Sequence, residues 1–119
     1  MALSFLMDRD MDHNIVRGLL HHEPLIDIMC VGHGDAPAGD MSDPQLLEFA
    51  WQNGRIFVSR DKSTMPKHLR ARFESGRHTA GVILLKAGWS IGRYVEDLLL
   101  IWSANTEADW ADRTIYLPM

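Results

Sequence analysis

The chain has 119 residues, of which 46% are hydrophobic and 24% charged, and a formal net charge of −4. That length suits one domain over 1–119 with a real core. There is no apolar run of about 18 residues to cross a bilayer, and no basic stretch leading into a long apolar one as in a secretory signal. Cys30 is the lone cysteine, which excludes an internal disulfide and fits a reducing compartment, so the expectation is a soluble cytoplasmic protein without a membrane partner.

In chain order, Leu3-Ser4-Phe5-Leu6-Met7 is an apolar run that stops at Asp8-Arg9-Asp10. It reads as the central strand of an α/β sheet that delivers Asp8 to an active site. Met11 to His22 carries Met11, Ile15, Val16, Leu19 and Leu20 at helical spacing, with Pro24 soon after, and predicts a helix. Ile26 to Val31 is a second strand ended by Gly32, and residues 32–42 are turn formers that predict a loop. Ser42 and Gln45 are spaced as a capping box with Pro44 in the first turn, opening a helix whose apolar face is Leu46, Leu47, Ala50 and Trp51. Asn53-Gly54 closes it, and Ile56-Phe57-Val58-Ser59 is a third strand stopping at Arg60-Asp61.

Pro66 to Ser75 predicts a helix with Leu69 and Phe73 inward and Lys67, Arg70 and Arg72 outward, closed by Gly76. Gly81 to Leu85 is a fourth strand. Ile91, Tyr94, Val95, Leu98, Leu99 and Trp102 mark a long last helix, apolar on every side from Leu98 to Trp102 and so largely buried. A polar turn over 105–112 leads to a final strand, Thr114 to Leu117, stopped by Pro118. Strict alternation of strands and helices, with strands too apolar for a wet face, calls for an α/β fold with a mostly parallel five-stranded sheet covered on both sides.

In such sheets ligands bind beyond the carboxyl ends of the strands, where strand order reverses. Asp8 and Asp61 share one crevice there if their strands are neighbours, and Asp43, heading the second helix, can lean in. Clustered carboxylates repel unless a divalent cation neutralises them, and Mg²⁺ or Mn²⁺ prefers such oxygen ligands, activates water and stabilises charge on a phosphoryl group.

The charge distribution suits that chemistry. Residues 1–48 hold nine acids against Arg9 and Arg17, whereas 60–78 hold Arg60, Lys62, Lys67, Arg70, Arg72 and Arg77 against Asp61 and Glu74. Arg60, Lys62, Lys67 and Arg70 are the candidates to grip a nucleic-acid backbone. Each feature also has a plainer reading. Asp10 is either a further metal ligand or a cap of the first helix, Asp43 either a ligand or a cap of the second, and the basic run either a phosphate track or a solvated helix face. The six histidines show no metal-ligand spacing, the glycines of 32–39 lack the dinucleotide order Gly-x-Gly-x-x-Gly, and Cys30 within a strand reads as filler.

Phe5-Leu6-Met7-Asp8-Arg9-Asp10-Met11 resembles the Leu-Leu-Asp-Glu-Asn-Leu opening of the bacterial PIN-like family, small proteins related to toxin nucleases of the VapC type. Met41 to Ala50 is similar to that family's Ser-Asp-Glu-Glu-Ile-Leu-Glu-Leu-Ala block, and Gly54 to Lys62 to its Gly-Arg-Val-Leu-Val-Thr-Arg-Asp-Lys block. Gly81-Val82-Ile83, Ile91-Gly92, Val95 to Leu99 and Tyr116-Leu117-Pro118 extend the likeness over nearly the whole chain.

The resemblance implies a three-layer α/β/α sandwich in which Asp8, Asp43 and Asp61 gather Mg²⁺ or Mn²⁺ to hydrolyse RNA. It also implies a toxin-like component of a toxin–antitoxin pair, with a small helix-turn-helix partner; a homodimer is an alternative. Arg9 stands where a second acid is usual, and Ser63 where another often follows. Three readings stay open: a metal-dependent ribonuclease, a PIN-like interaction module that has lost the chemistry, and a phosphatase- or receiver-like phosphate-handling domain.

Overall fold

The structure, a computed structural model, describes residues 3–118. Its elements run β1 (Ser4–Met7), α1 (His13–His22), β2 (Asp27–Cys30), α2 (Asp43–Gln52), β3 (Ile56–Ser59), α3 (Met65–Glu74), β4 (Val82–Leu85), α4 (Ile91–Ala104), α5 (Glu107–Trp110) and β5 (Thr114–Leu117). All five strands are parallel in the order β2-β1-β3-β4-β5, with Met7 level with Cys30 on one side and Val58 on the other. Strands β3 and β4 are buried on both faces, which is why they read as apolar runs broken only by Ser59.

Alternate side chains of each strand enter opposite layers. Phe5, Met7, Ile56, Val58, Ile83 and Leu85 pack with Ile15 and Leu19 of α1, Val95, Leu98 and Ile101 of α4, and Trp110 of α5. Leu6, Phe57, Val82 and Leu84 face Leu46, Leu47 and Ala50 of α2 and Met65 and Leu69 of α3. The fold is thus a three-layer α/β/α sandwich. Helices α1 and α4 meet at Gly18, where an added Cβ would stand 2.8 Å from Val95 Cγ2.

One connection departs from the usual winding. The chain moves in the same direction across the sheet from β3 to β4 as from β4 to β5, yet α3 covers one face and α4 the other. The two crossovers therefore have opposite hands. Since β1-α1-β2 and β2-α2-β3 share the hand of β3-α3-β4, and right-handed crossovers are nearly universal, β4-α4-β5 is the left-handed one.

The capping box predicted at Ser42 and Gln45 is present, with Pro44 in the first turn of α2. Other details differ from the sequence reading. The first helix is capped by Asp12, whose carboxylate accepts from the Asn14 amide, and not by Asp10. Arg72, expected to face solvent, is buried: its Nη2 donates to Glu48 of α2 (3.0 Å) and its Nε to the His78 carbonyl (2.6 Å). A guanidinium supplies enough donors to pair a carboxylate and a carbonyl at once, which is what allows it inside. Phe73 and Trp51, expected inward, are exposed, as is Leu100 within the all-apolar stretch of α4. The polar turn over 105–112 contains the short helix α5, whose Trp110 plugs the core beneath Gly81. No helix among the described residues is long and apolar enough to cross a membrane.

Candidate active site at the carboxyl edge of the sheet

Strand order reverses between β1 and β3, where α1 leaves toward one layer and α3 toward the other, so the carboxyl ends of these strands bound a crevice. It forms a cleft of about 400 Å³ lined by Asp8, Asp10, Ser59, Arg60, Asp61 and the β4 end at Leu85 and Ala87. The strand neighbourhood needed to join Asp8 and Asp61 is met.

Asp8 follows β1 directly and is anchored at both oxygens. Oδ1 accepts from the Arg9 amide (2.7 Å) and Oδ2 from Ser59 Oγ (2.8 Å), while Ser59 Oγ itself accepts from the Asp61 amide (3.1 Å). Ser59 is wholly buried. Its hydroxyl ties the ends of β1 and β3 together across the site.

Asp61 is turned toward its own loop. Oδ1 accepts from the Ser63 amide and hydroxyl and from the Thr64 amide, and Oδ2 from the Thr64 hydroxyl. The hydroxyl and amide bonds from Thr64, with help from Ser63, hold its carboxyl down at about 2.

Asp43 is the first residue of α2, so Ser42 and not Asp43 caps that helix. Its carboxylate lies 3.6 Å from His68 Nε2 of α3. Burial raises the Asp43 carboxyl, and the negative charge of Asp8 and, more weakly, of Asp61 raises it further; His68 and Arg9 pull the other way. Three carboxylates from three separate stretches of chain thus share one electrostatic neighbourhood. Arg9 is anchored by a guanidinium bond to the Met41 carbonyl beside Asp43.

Asp10 is exposed at the cleft rim, its carbonyl accepting from Arg60 Nη1 (3.4 Å). Of the four predicted backbone-gripping residues, Arg60 lines the cleft, whereas Lys62, Lys67 and Arg70 stand exposed along the following loop and α3. Cys30 is half-buried in the edge strand β2, and burial pushes its thiol up.

The donor chemistry suits a hard cation in part. Asp8 keeps a second lone pair on each oxygen and Asp43, among the described residues, pairs with His68, so these two carboxylates fit an ion that takes one or two and keeps its waters. Asp61, satisfied by four bonds from its own loop, fits less well. Among the described residues no group of three or more His, Cys, Asp or Glu side chains is placed to hold one ion together.

Two residues here escaped the sequence reading. Ser59 left a signal, being the one hydroxyl in a strand otherwise filled by Ile56, Phe57 and Val58. His68 left none, because only the packing of α3 beside α2 brings it to Asp43. Compared with protein-family profiles, with curated proteins and with solved structures, the chain matches none.

Proposed function

We propose that the chain is a metal-dependent ribonuclease, the toxin-like member of a two-protein pair, working in the cytoplasm. The observation that carries this reading is that Asp8 and Asp61 line one cleft at the switch point of a parallel sheet, with Arg60 in its wall and Asp43 near enough to feel both charges. The blocks resembling the PIN-like family supply the same three acids.

In this reading Asp8 and Asp43 hold Mg²⁺ or Mn²⁺, which when bound supplies an activated water and neutralises phosphoryl charge. Ser59 fixes the Asp8 carboxylate, so that no reorganisation is needed when the substrate arrives. Arg60 takes a phosphate oxygen of the RNA, and His68 pulls Asp43 toward its charged form against burial and Asp8. Asp61 positions the loop 61–64 and offers its remaining lone pairs at the rim.

The test is hydrolysis of labelled single-stranded RNA by the purified chain with Mn²⁺. Cleavage that disappears in both Asp8→Asn and Asp43→Asn is expected. Failure to cut, or a cut that survives Asp8→Asn, removes the reading.

A second reading, the interaction module that kept the fold and lost the chemistry, is favoured by one observation: Asp61 spends its carboxylate on Ser63 and Thr64. It expects no Mn²⁺ binding heat in calorimetry and a stable complex with a small helix-turn-helix partner. Against the receiver-like alternative stands the left-handed crossover, because uniform right-handed winding of this strand order would put α4 on the α2 and α3 side.

A further inference from the structure

The acid cleft does not end at Arg60. It shares the walls Arg60, Leu85 and Ala87 with a smaller slot of about 170 Å³ whose other sides include Asp12, Ile15, Ile91, Tyr94 and Trp89. We infer that this slot receives one unpaired nucleobase of a single-stranded nucleic acid whose phosphate lies at Arg60. This rests on the phosphodiester reading of the adjoining cleft and extends it to a base subsite.

The slot is built, and two of its supporting residues stand out. Trp89 is half exposed, at 50%, in a glycine-containing turn. What sets this indole apart from the other exposed apolar side chains is that it is held in place. The turn is fixed by Tyr94, whose hydroxyl donates to the Lys86 carbonyl and accepts from the Trp89 amide (3.3 Å). The ring is fixed by Arg93, whose guanidinium lies 5.4 Å from the ring centroid, within cation–π range. Arg93 is in turn held by Asp97, one turn along α4, at 3.3 Å.

Asp97 is the costly residue, a carboxylate buried to 5% exposure on an apolar helix. The series Asp97, Arg93, Trp89 fixes an aromatic plate at the rim of a slot that opens beside a phosphate-binding arginine. An aromatic stacking platform beside an arginine that can take a backbone phosphate is a recurring element of single-strand binding without sequence readout. A slot of about 170 Å³ edged by the Tyr94 and Trp89 rings has room for one planar ring and not for a helix or a duplex.

The experiment is fluorescence-anisotropy titration of labelled decauridylate and of an abasic ribose–phosphate decamer, with Ca²⁺ present to screen the carboxylates. Wild type is expected to hold decauridylate more tightly than the abasic strand. Trp89→Ala should weaken decauridylate binding about tenfold, one stacked base at about 1.4 kcal/mol, and leave the abasic strand unchanged. Trp89→Phe should restore most of the loss, while Trp51→Ala, which removes an exposed indole at the opposite edge of the sheet, should change nothing.

Equal affinity for the two strands, or wild-type affinity in Trp89→Ala, overturns the subsite; so does self-association of the chain that Trp89→Ala abolishes, which makes the plate a protein contact. The Mn²⁺ hydrolysis assay reports on the nuclease reading separately. Cleavage without base-dependent binding sinks only this inference, and base-dependent binding without cleavage sinks only the nuclease.

Discussion

Replacing Ser59 by alanine removes the one hydroxyl that joins the ends of β1 and β3. Its oxygen is fully buried, donates to Asp8 Oδ2 at 2.8 Å and accepts from the Asp61 amide at 3.1 Å. A hydrogen bond to a charged group contributes about 1.5–3 kcal/mol. Asp8 is only half-buried, so water replaces part of what it loses, and the low end applies: about 1.5 kcal/mol of stability, or about 6 °C in Tm for a chain of this size. Urea denaturation of Ser59→Ala, Asp8→Ala and the double variant closes a cycle in which the two changes should couple by about 1 kcal/mol. If the reading of the site is also right, Ser59→Ala lowers kcat more than it raises KM. Additivity of the two substitutions to within about 0.3 kcal/mol would refute the claim that this hydroxyl holds Asp8.

The Gly18 contact and the two unequal aspartates give further expectations. Gly18→Ala should gain up to about 1 kcal/mol of helix propensity, yet the new methyl meets Val95, whose β-branched side chain has one good rotamer in a helix; a net loss of about 1 kcal/mol follows. In a Val95→Ala background the same substitution should stabilise, and a denaturation series showing no change of sign would count against the packing described. Asp61, lowered to about 2, binds its proton less readily folded than unfolded. It contributes stability above pH 3.8 that is lost as the pH falls toward 2. Asp61→Asn should flatten the acid limb of the stability curve there. Asp43 has the opposite sign: its raised carboxyl favours the folded state only while protonated, so its contribution is lost as pH rises past 3.8. Asp43→Asn should therefore be more stable than wild type at neutral pH in metal-free buffer, and a destabilised Asp43→Asn would show that the acids do not repel.

The sheet was legible because each of its strands is a short run bounded by turn formers, and the Ser42 to Gln45 signal names its helix start outright. Arg72, Phe73 and Trp51 went wrong for a shared reason: helical periodicity gives the spacing of a face but not which of two adjoining faces meets the next layer. Arg72 lies where α3 touches α2, so the partner carboxylate of Glu48 decided its burial, and no local rule contains that. At the site, the strand-end positions of Asp8 and Asp61 were readable, whereas the turning of the Asp61 carboxylate onto Ser63 and Thr64 depended on loop geometry.

The left-handed return of α4 has a bearing on how the chain is made. Because α4 lies beside α1, the layer over one face is assembled from the first and fourth helices, with all of residues 23–90 between them. Closing so long a loop costs entropy before any packing rewards it. During synthesis α2, β3, α3 and β4 can complete their own layer, while Ile15 and Leu19 of α1 await Val95 and Leu98. Until α4 is made, that half-layer leaves Ile15, Leu19 and one face of the sheet open to water, and α4 covers them.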